Sequence, residues 1–295
     1  MQAAWMIVAS VFFAGMGVCI KYASPHFGPL EIVFYRGAIG VLFMGVVARA
    51  SGVSLATRVP MMHLWRNAVG VCALVAWFYA FAHLPLATAM TLHYMSGVWV
   101  AAFLVGGTML LGRLADLRRQ GPLTLTVLAS FAGVVMLLRP ALEQDQLFAG
   151  LIGLLSGLLA ALAYIQVAAL GRVGEPEART VFYFSLGSML TGALGMVFYQ
   201  AHPINTWQAL WLLPIGVLAA LGQLCMTRAY THGATMVVVN LQYSGIVFGA
   251  LFGLVLFGEQ IALIGWLGMV IIVAAGMMGT ALRARALPNP PAEER

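Results

Sequence analysis

Ten runs of roughly twenty apolar residues, separated by short polar or Pro/Gly-bearing connections, occupy most of this chain. They fall at about 3–22, 30–48, 65–82, 86–107, 122–139, 149–170, 180–200, 208–228, 234–257 and 261–282. A helix of about 20 apolar residues crosses the roughly 30 Å hydrocarbon layer of a bilayer. The runs are continuous rather than alternating, so each satisfies its backbone as a helix and not as a barrel strand. The residue inventory removes the soluble alternative: 62% of residues are apolar and 8% charged, against about 25% charged in a soluble domain. The expected class is an all-α integral membrane protein with ten transmembrane helices. The first run has no basic leader and reads as a retained span rather than a signal peptide.

The net charge of +6 comes from arginines dispersed among connections, not from a basic face interleaved with aromatics, so no nucleic-acid partner is implied. Cys19, Cys72 and Cys225 lie inside apolar runs without CxxC spacing and read as packing residues. No cofactor or metal site is expected. Pro85 and Pro122 are placed in first turns of helices, and Pro140 and Pro203 just past helix ends. With the N-terminus in the cytoplasm, the inner connections collect Arg49, Arg58, Arg66, Arg113, Arg118, Arg119, Arg172, Arg179, Arg228, Arg283, Arg285 and Arg295, while the other side holds only Lys21, Arg36 and Arg139. This bias puts both termini in the cytoplasm of a multi-pass inner (plasma) membrane protein, with 283–295 as a disordered cytoplasmic tail.

The chain also repeats itself. Residues 79–103 and 228–252 align without gaps, sharing Ala80/Ala229, His83/His232, Leu92/Leu241, Tyr94/Tyr243, Val98/Val247, Ala101/Ala250 and Phe103/Phe252. The matched segments fall on spans 3–4 and 8–9, the same places in two sets of five. Because five is odd, the second set enters the membrane inverted. The expected organisation is a first five-helix repeat over 1–140 and an inverted second repeat over 149–282, an arrangement suited to alternating access around a site near the midplane.

Several stretches resemble the EamA-type transporters of the drug/metabolite transporter superfamily. They are FYRGAIG with Arg36 in span 2, LPLATAMTLHYMSGVWVAAF in span 4, and LQYSGIVFGALFGLVLFGEQIALIGWLGMVIIVAAGMMG with Glu259 across spans 9 and 10. The resemblance implies transport of small metabolites, often export of amino acids, through a cavity formed by both halves. Two departures stand out: Arg113 where the family often has a glycine-glutamate pair, and Gly97 where a proline is common.

The acids fall at span ends, loops and tails, so the sequence offers no membrane-embedded carboxylate for ion coupling and favours a facilitator. His93, in the middle of span 4, is a candidate to hydrogen-bond substrate or to carry a proton; its counterpart Gln242 is also polar. Tyr94 and Tyr243 have two readings, interhelical packing and substrate contact. Asn240, Gln242, Gln223, Gln166 and Tyr164 form a candidate polar wall, and Trp77, Tyr79 and Trp99 offer flat faces to an aromatic substrate. Lys21 and Arg36 read either as snorkelling cations or as an outer gate.

Rival functions lack their residues. The chain has no HExxH and no GxxxxGK[ST], its one lysine is Lys21, no aspartate lies within a span, and Ser96, three residues from His93 on one helix, is only a weak hint of a protease dyad. A channel is disfavoured by the repeat within one chain. The expected function is alternating-access export of small neutral or zwitterionic metabolites, amino acids including aromatic ones, by a uniporter working as a monomer in the lipid bilayer. The alternative is proton-coupled movement of another metabolite or drug, such as a nucleoside or an S-adenosylmethionine-like cofactor.

Overall fold

Prolines mark where two of the long helices begin, because a residue without an N–H costs nothing at the first helical position. Pro29 opens α2 and Pro60 opens α3. The computed structural model describes residues 2–84, 86–110, 114–138, 146–198, 202, 207–258 and 260–286. The helices are α1 (Trp5–Ala23), α2 (Pro29–Ala50), α3 (Pro60–His83), α4 (Leu86–Tyr94), α5 (Ser96–Leu110), α6 (Leu114–Leu138), α7 (Leu147–Arg172), α8 (Glu177–Met196), α9 (Leu212–His232), α10 (Thr235–Gln242), α11 (Ser244–Phe257) and α12 (Leu263–Ala286). Eight segments are long and apolar enough to cross a membrane. The 24-residue α3 and 20-residue α8 complete the set of ten by length. Pro85, Arg113, Arg139, Pro140, Pro203, Glu259 and the tail 287–295 lie outside the described residues.

Two expectations change, and two spans carry a local turn. Spans 4 and 9 are each long and apolar enough to cross as one stretch, with a one-residue turn at Met95 between α4 and α5, where the Met95 N–H still bonds Thr91 O (3.1 Å), and at Tyr243 between α10 and α11. At the second turn the backbone tightens, with the Tyr243 N–H bonded to Asn240 O (3.3 Å) and the Ile246 N–H to Tyr243 O (3.1 Å). Pro122 is not in a first turn, because α6 starts at Leu114 and carries it internally. The α12 helix runs on through Ala286, four residues past the expected end of its span. By contrast α11 stops where the run stops: Gly258 takes φ +65° and caps it.

The main helix pairs are α2–α8, α6–α12, α3–α7, α1–α9, α1–α11 and α5–α7; in the order of spans, the first two each join span n to span n + 5. Both of these first two pairs are zipped by glycines. A Cβ on Gly37 would lie 2.4 Å from Met189 N across α2–α8, and one on Gly192 would lie 2.5 Å from Phe34 N. Between α6 and α12, a Cβ on Gly133 would meet Gly268 O at 2.6 Å and one on Gly268 would meet Gly133 O at 2.5 Å. Lipid offers no hydrophobic drive between helices, so such close backbone approach is what gives these pairs their dispersion contact.

Two carboxylate clasps repeat the pattern. Glu31, at the start of α2, accepts from Gly28 N–H (2.6 Å) and His202 N–H (2.6 Å), and its Oε2 lies 2.8 Å from His202 Nδ1, tying it to the α8–α9 connection. Glu175, just before α8, bonds Thr57 Oγ1 (3.1 Å), His63 Nε2 (3.0 Å) and Arg179 Nη1 (3.1 Å), tying it to the α2–α3 connection and to the first turns of α3. Burial alone would raise the Glu175 carboxyl, but the bonds from His63, Arg179 and Thr57 outweigh it and hold the group below its ordinary range. A carboxyl lowered on folding contributes stability that is complete above its unfolded value of about 4.3 and is lost as pH falls through the lower folded value. Melting temperature measured against pH should therefore show a Glu175→Gln variant that is less stable at neutral pH and loses less on acidification. An acid limb as steep as that of the parent would place the acid sensitivity elsewhere.

Candidate functional site

The turns in spans 4 and 9 bring two tyrosines together. The rings of Tyr94 and Tyr243 lie 6.3 Å apart, and each hydroxyl sits against a glycine of the opposite span. A Cβ on Gly97 would come within 2.3 Å of the Tyr243 hydroxyl, and one on Gly245 within 3.2 Å of the Tyr94 hydroxyl. Gly97 is thus required for contact, and a larger residue there would displace Tyr243. Tyr243 is fully buried and its hydroxyl has no hydrogen-bond partner.

On one side of this pair, α4 ends against α7. Gly157 permits the approach, since a Cβ there would lie 2.6 Å from Leu92 O. The next residue back, Ser156, donates its hydroxyl to Gly153 O (2.7 Å) and lies 3.1 Å from His93 Nδ1. A serine hydroxyl has one hydrogen. With that hydrogen on Gly153, the bond to His93 runs from Nδ1–H to Oγ, which assigns neutral His93 the Nδ1–H tautomer and leaves Nε2 as an acceptor. The Trp77 ring stacks on His93 at 4.6 Å and 25°.

On the other side, Tyr164 and Tyr230 stack at 5.3 Å and 14°. The Tyr230 hydroxyl donates to Gln242 Oε1 (2.9 Å), with Tyr164 alongside. The sequence counterparts His93 and Gln242 therefore occupy comparable places, each bonded to a hydroxyl next to an aromatic stack. Trp99 is half-buried beside Phe103, and its Nε1 is buried without a partner.

Four expected site residues stand apart. Asn240 spends its side chain on structure: Ser130 Oγ donates to its Oδ1 in a short bond, and its Nδ2 donates to Ala275 O (2.8 Å), joining α10 to α6 and α12. Tyr79 is 37% exposed and stacks on His83 at 4.1 Å. Gln166 follows Tyr164 by two residues, which turns it about 200° around α7, away from the Tyr164 face. Lys21 places its ammonium 3.9 Å over the Phe257 ring at the surface end of α1.

Arg36 does not snorkel. It lies two turns into α2, with Nε and Nη1 buried and unpaired, and its guanidinium is 5.6 Å from the Phe184 ring. Arg66, expected in a connection, is instead the seventh residue of α3 and only 4% exposed. Its guanidinium lies over Gly70 and 4.0 Å from the same Phe184 ring. Arg36 borders a small cavity of about 10 Å³ with Phe184, Ser185, Ser188 and Gln223, about the room one water needs. Sequence reasoning missed Arg66, Phe184, Ser156, Ser185 and Tyr230. The one usable signal was Pro60, whose place at a helix start puts Arg66 two turns inside the span.

Ten spanning stretches, two of them with a turn where they face each other, and polar and aromatic side chains gathered inside, define a multi-pass membrane protein with a polar interior. Residues 147–279 match the EamA-like transporter family. A pseudopaline exporter of Pseudomonas aeruginosa is 33% identical over 271 residues, 91% of this chain and 92% of that protein. The chain belongs to the EamA-like transporter family of the drug/metabolite transporter superfamily. It is also similar to a riboflavin transporter of Rhizobium johnstonii, 26% identical over 279 residues, 93% of this chain and 89% of that one, and to an uncharacterized transporter of Helicobacter pylori, 27% identical over 285 residues, 92% of each. A crystal structure sharing 18% sequence identity superposes with a TM-score of 0.80 over 96% of this chain and 99% of its own, so the fold is common to both.

Proposed function

We propose that the chain is an alternating-access uniporter that exports small metabolites with a flat apolar part, aromatic amino acids being the best fit. The observation that carries this reading is the meeting of spans 4 and 9 at Tyr94 and Tyr243, between the Trp77–His93 and Tyr164–Tyr230 stacks. A site near the midplane, where the two halves meet, is where many inverted-repeat carriers hold their substrate. The substrate residues in this reading are His93, Tyr94, Trp77, Trp99, Tyr164, Gln223, Gln242 and Tyr243. The two repeats, 1–140 and 149–282, rock about that site, with both termini in the cytoplasm. A relative that exports pseudopaline supports the direction, and the stacks support the flat substrate.

Purified protein in liposomes, given a gradient of radiolabelled L-phenylalanine, L-tyrosine or L-tryptophan and no ion gradient, should show saturable uptake. L-Leucine and L-serine should be carried more slowly. Uptake that stays linear with concentration would contradict a carrier, and uptake seen only with an imposed pH gradient would replace uniport with proton coupling.

A further inference from the structure

Two arginine side chains inside the membrane domain have no anionic partner. Among the described residues the carboxylates of Glu31, Glu175 and Glu177 are engaged by His202, by His63 and Arg179, and by His232, and none reaches Arg36 or Arg66. Each arginine leaves Nε and Nη1 buried without a hydrogen bond. Both guanidinium groups lie on the ring of Phe184, at 5.6 Å and 4.0 Å, and the charge of Arg36 acts on Arg66 at that range. Like charges held close together and out of water destabilise the empty protein, and cation–π contact with one phenylalanine recovers only about 0.5–2 kcal/mol. Buried positive charge of this kind in a membrane protein points to a substrate pathway.

Neither arginine is required by the repeat. The two sit on α2 and α3, and the aligned region that carries the internal symmetry includes neither. Around them are Ser185 and Ser188 of α8 and Gln223 of α9, bordering the cavity that also touches Arg36. We propose that Arg36 and Arg66, both lying against the Phe184 ring, form a subsite for the carboxylate of the transported metabolite. A planar carboxylate accepts forked N–H donors from both arginines, and the cavity, which has room for about one water, widens to admit it. The proposal deepens the carrier reading: the substrate is a small organic acid or amino acid whose carboxylate enters between α2, α3 and α8 while its flat part lies toward Tyr164 and Tyr94.

The test is thermal stability of detergent-purified protein with acetate, glutarate and phenylacetate, each against its carboxamide at equal ionic strength, because a ligand that binds only the folded state raises its melting temperature. The carboxylates should stabilise and the carboxamides should not. Arg66→Met and Arg36→Met should each raise the half-stabilising carboxylate concentration about tenfold or more. Removing an unpaired buried charge should leave the unliganded melting temperature of these variants unchanged or higher; a merely structural arginine would lower it. Arg66→Lys, which keeps the charge and loses the fork, serves if a methionine variant does not fold, and should weaken binding by a smaller factor. Equal stabilisation by acid and amide, or carboxylate affinity unchanged in the arginine variants, would overturn the subsite. Binding is read here without vesicle or gradient, so failure of transport would leave this result standing, and failure here would leave the carrier reading standing.

Discussion

Valine in place of Gly133 or Gly268 should separate α6 from α12 and cost the protein much of its stability. A single added Cβ at either position would stand 2.5–2.6 Å from a carbonyl oxygen of the other helix. Neither neighbour is the end of a flexible side chain, so relief requires a backbone shift, and overpacking of that kind costs about 1–3 kcal/mol or more per site. The two changes act on one contact, so the double variant should lose less than the sum of the singles. Gly37→Val and Gly192→Val should behave alike at α2–α8, where the near atoms are again backbone. Gly45 and Gly249, which have nothing within 4 Å of a built Cβ, provide matched controls that should change little. Melting temperatures of the purified variants decide the matter. Gly133 and Gly268 variants as stable as the controls would show that the helices do not depend on this approach.

Transport, not stability, is where His93→Ala should register. The change removes the Nδ1–H bond to Ser156 and the ring that stacks on Trp77. Ser156 keeps its own bond to Gly153, so no donor is stranded. An aromatic pair contributes about 0.5–1.5 kcal/mol beyond its buried area, which a membrane domain of this size can lose without unfolding. If His93 presents its Nε2 acceptor to substrate, initial rates in liposomes should fall at least about tenfold, with protein yield and melting temperature little changed. His93→Gln should recover part of the rate, because an amide oxygen can replace the acceptor. A normal rate in His93→Ala would assign the residue to packing, and equal loss in alanine and glutamine variants would point to the ring stack as the part that matters.

Span positions were legible because a bilayer imposes one requirement on every crossing helix, and apolar length records it directly. The internal likeness was legible from a few shared residues, above all Tyr94 and Tyr243. Their meeting in space was not, because the close approach that allows it, at Gly97, Gly157 and Gly245, is made between segments distant in sequence. The glycine in place of the family's common proline at residue 97 has a cause visible only in three dimensions: the Tyr243 hydroxyl occupies the space of a side chain there. Arg66 was misplaced by where its apolar run was judged to begin; one helical turn decides whether an arginine is a surface charge or an interior one. Asn240 looked like a cavity residue because it is polar and central, and its bonds to Ser130 and Ala275 lie 110 and 35 residues away in sequence. The two glutamate clasps were hidden for the same reason, since their partners are brought up by folding and carry no local signature.

Counterflow tests the central claim most directly. Liposomes containing the protein would be loaded with unlabelled L-phenylalanine and diluted into a trace of the labelled form, with no ion gradient and no membrane potential. An alternating-access carrier returns to the outside loaded, so label should accumulate transiently above its equilibrium level and then decay as the unlabelled pool runs down. That overshoot should be lost in His93→Ala. Label that rises only to equilibrium, at a rate unaffected by the internal load, would contradict alternating access and indicate a pore.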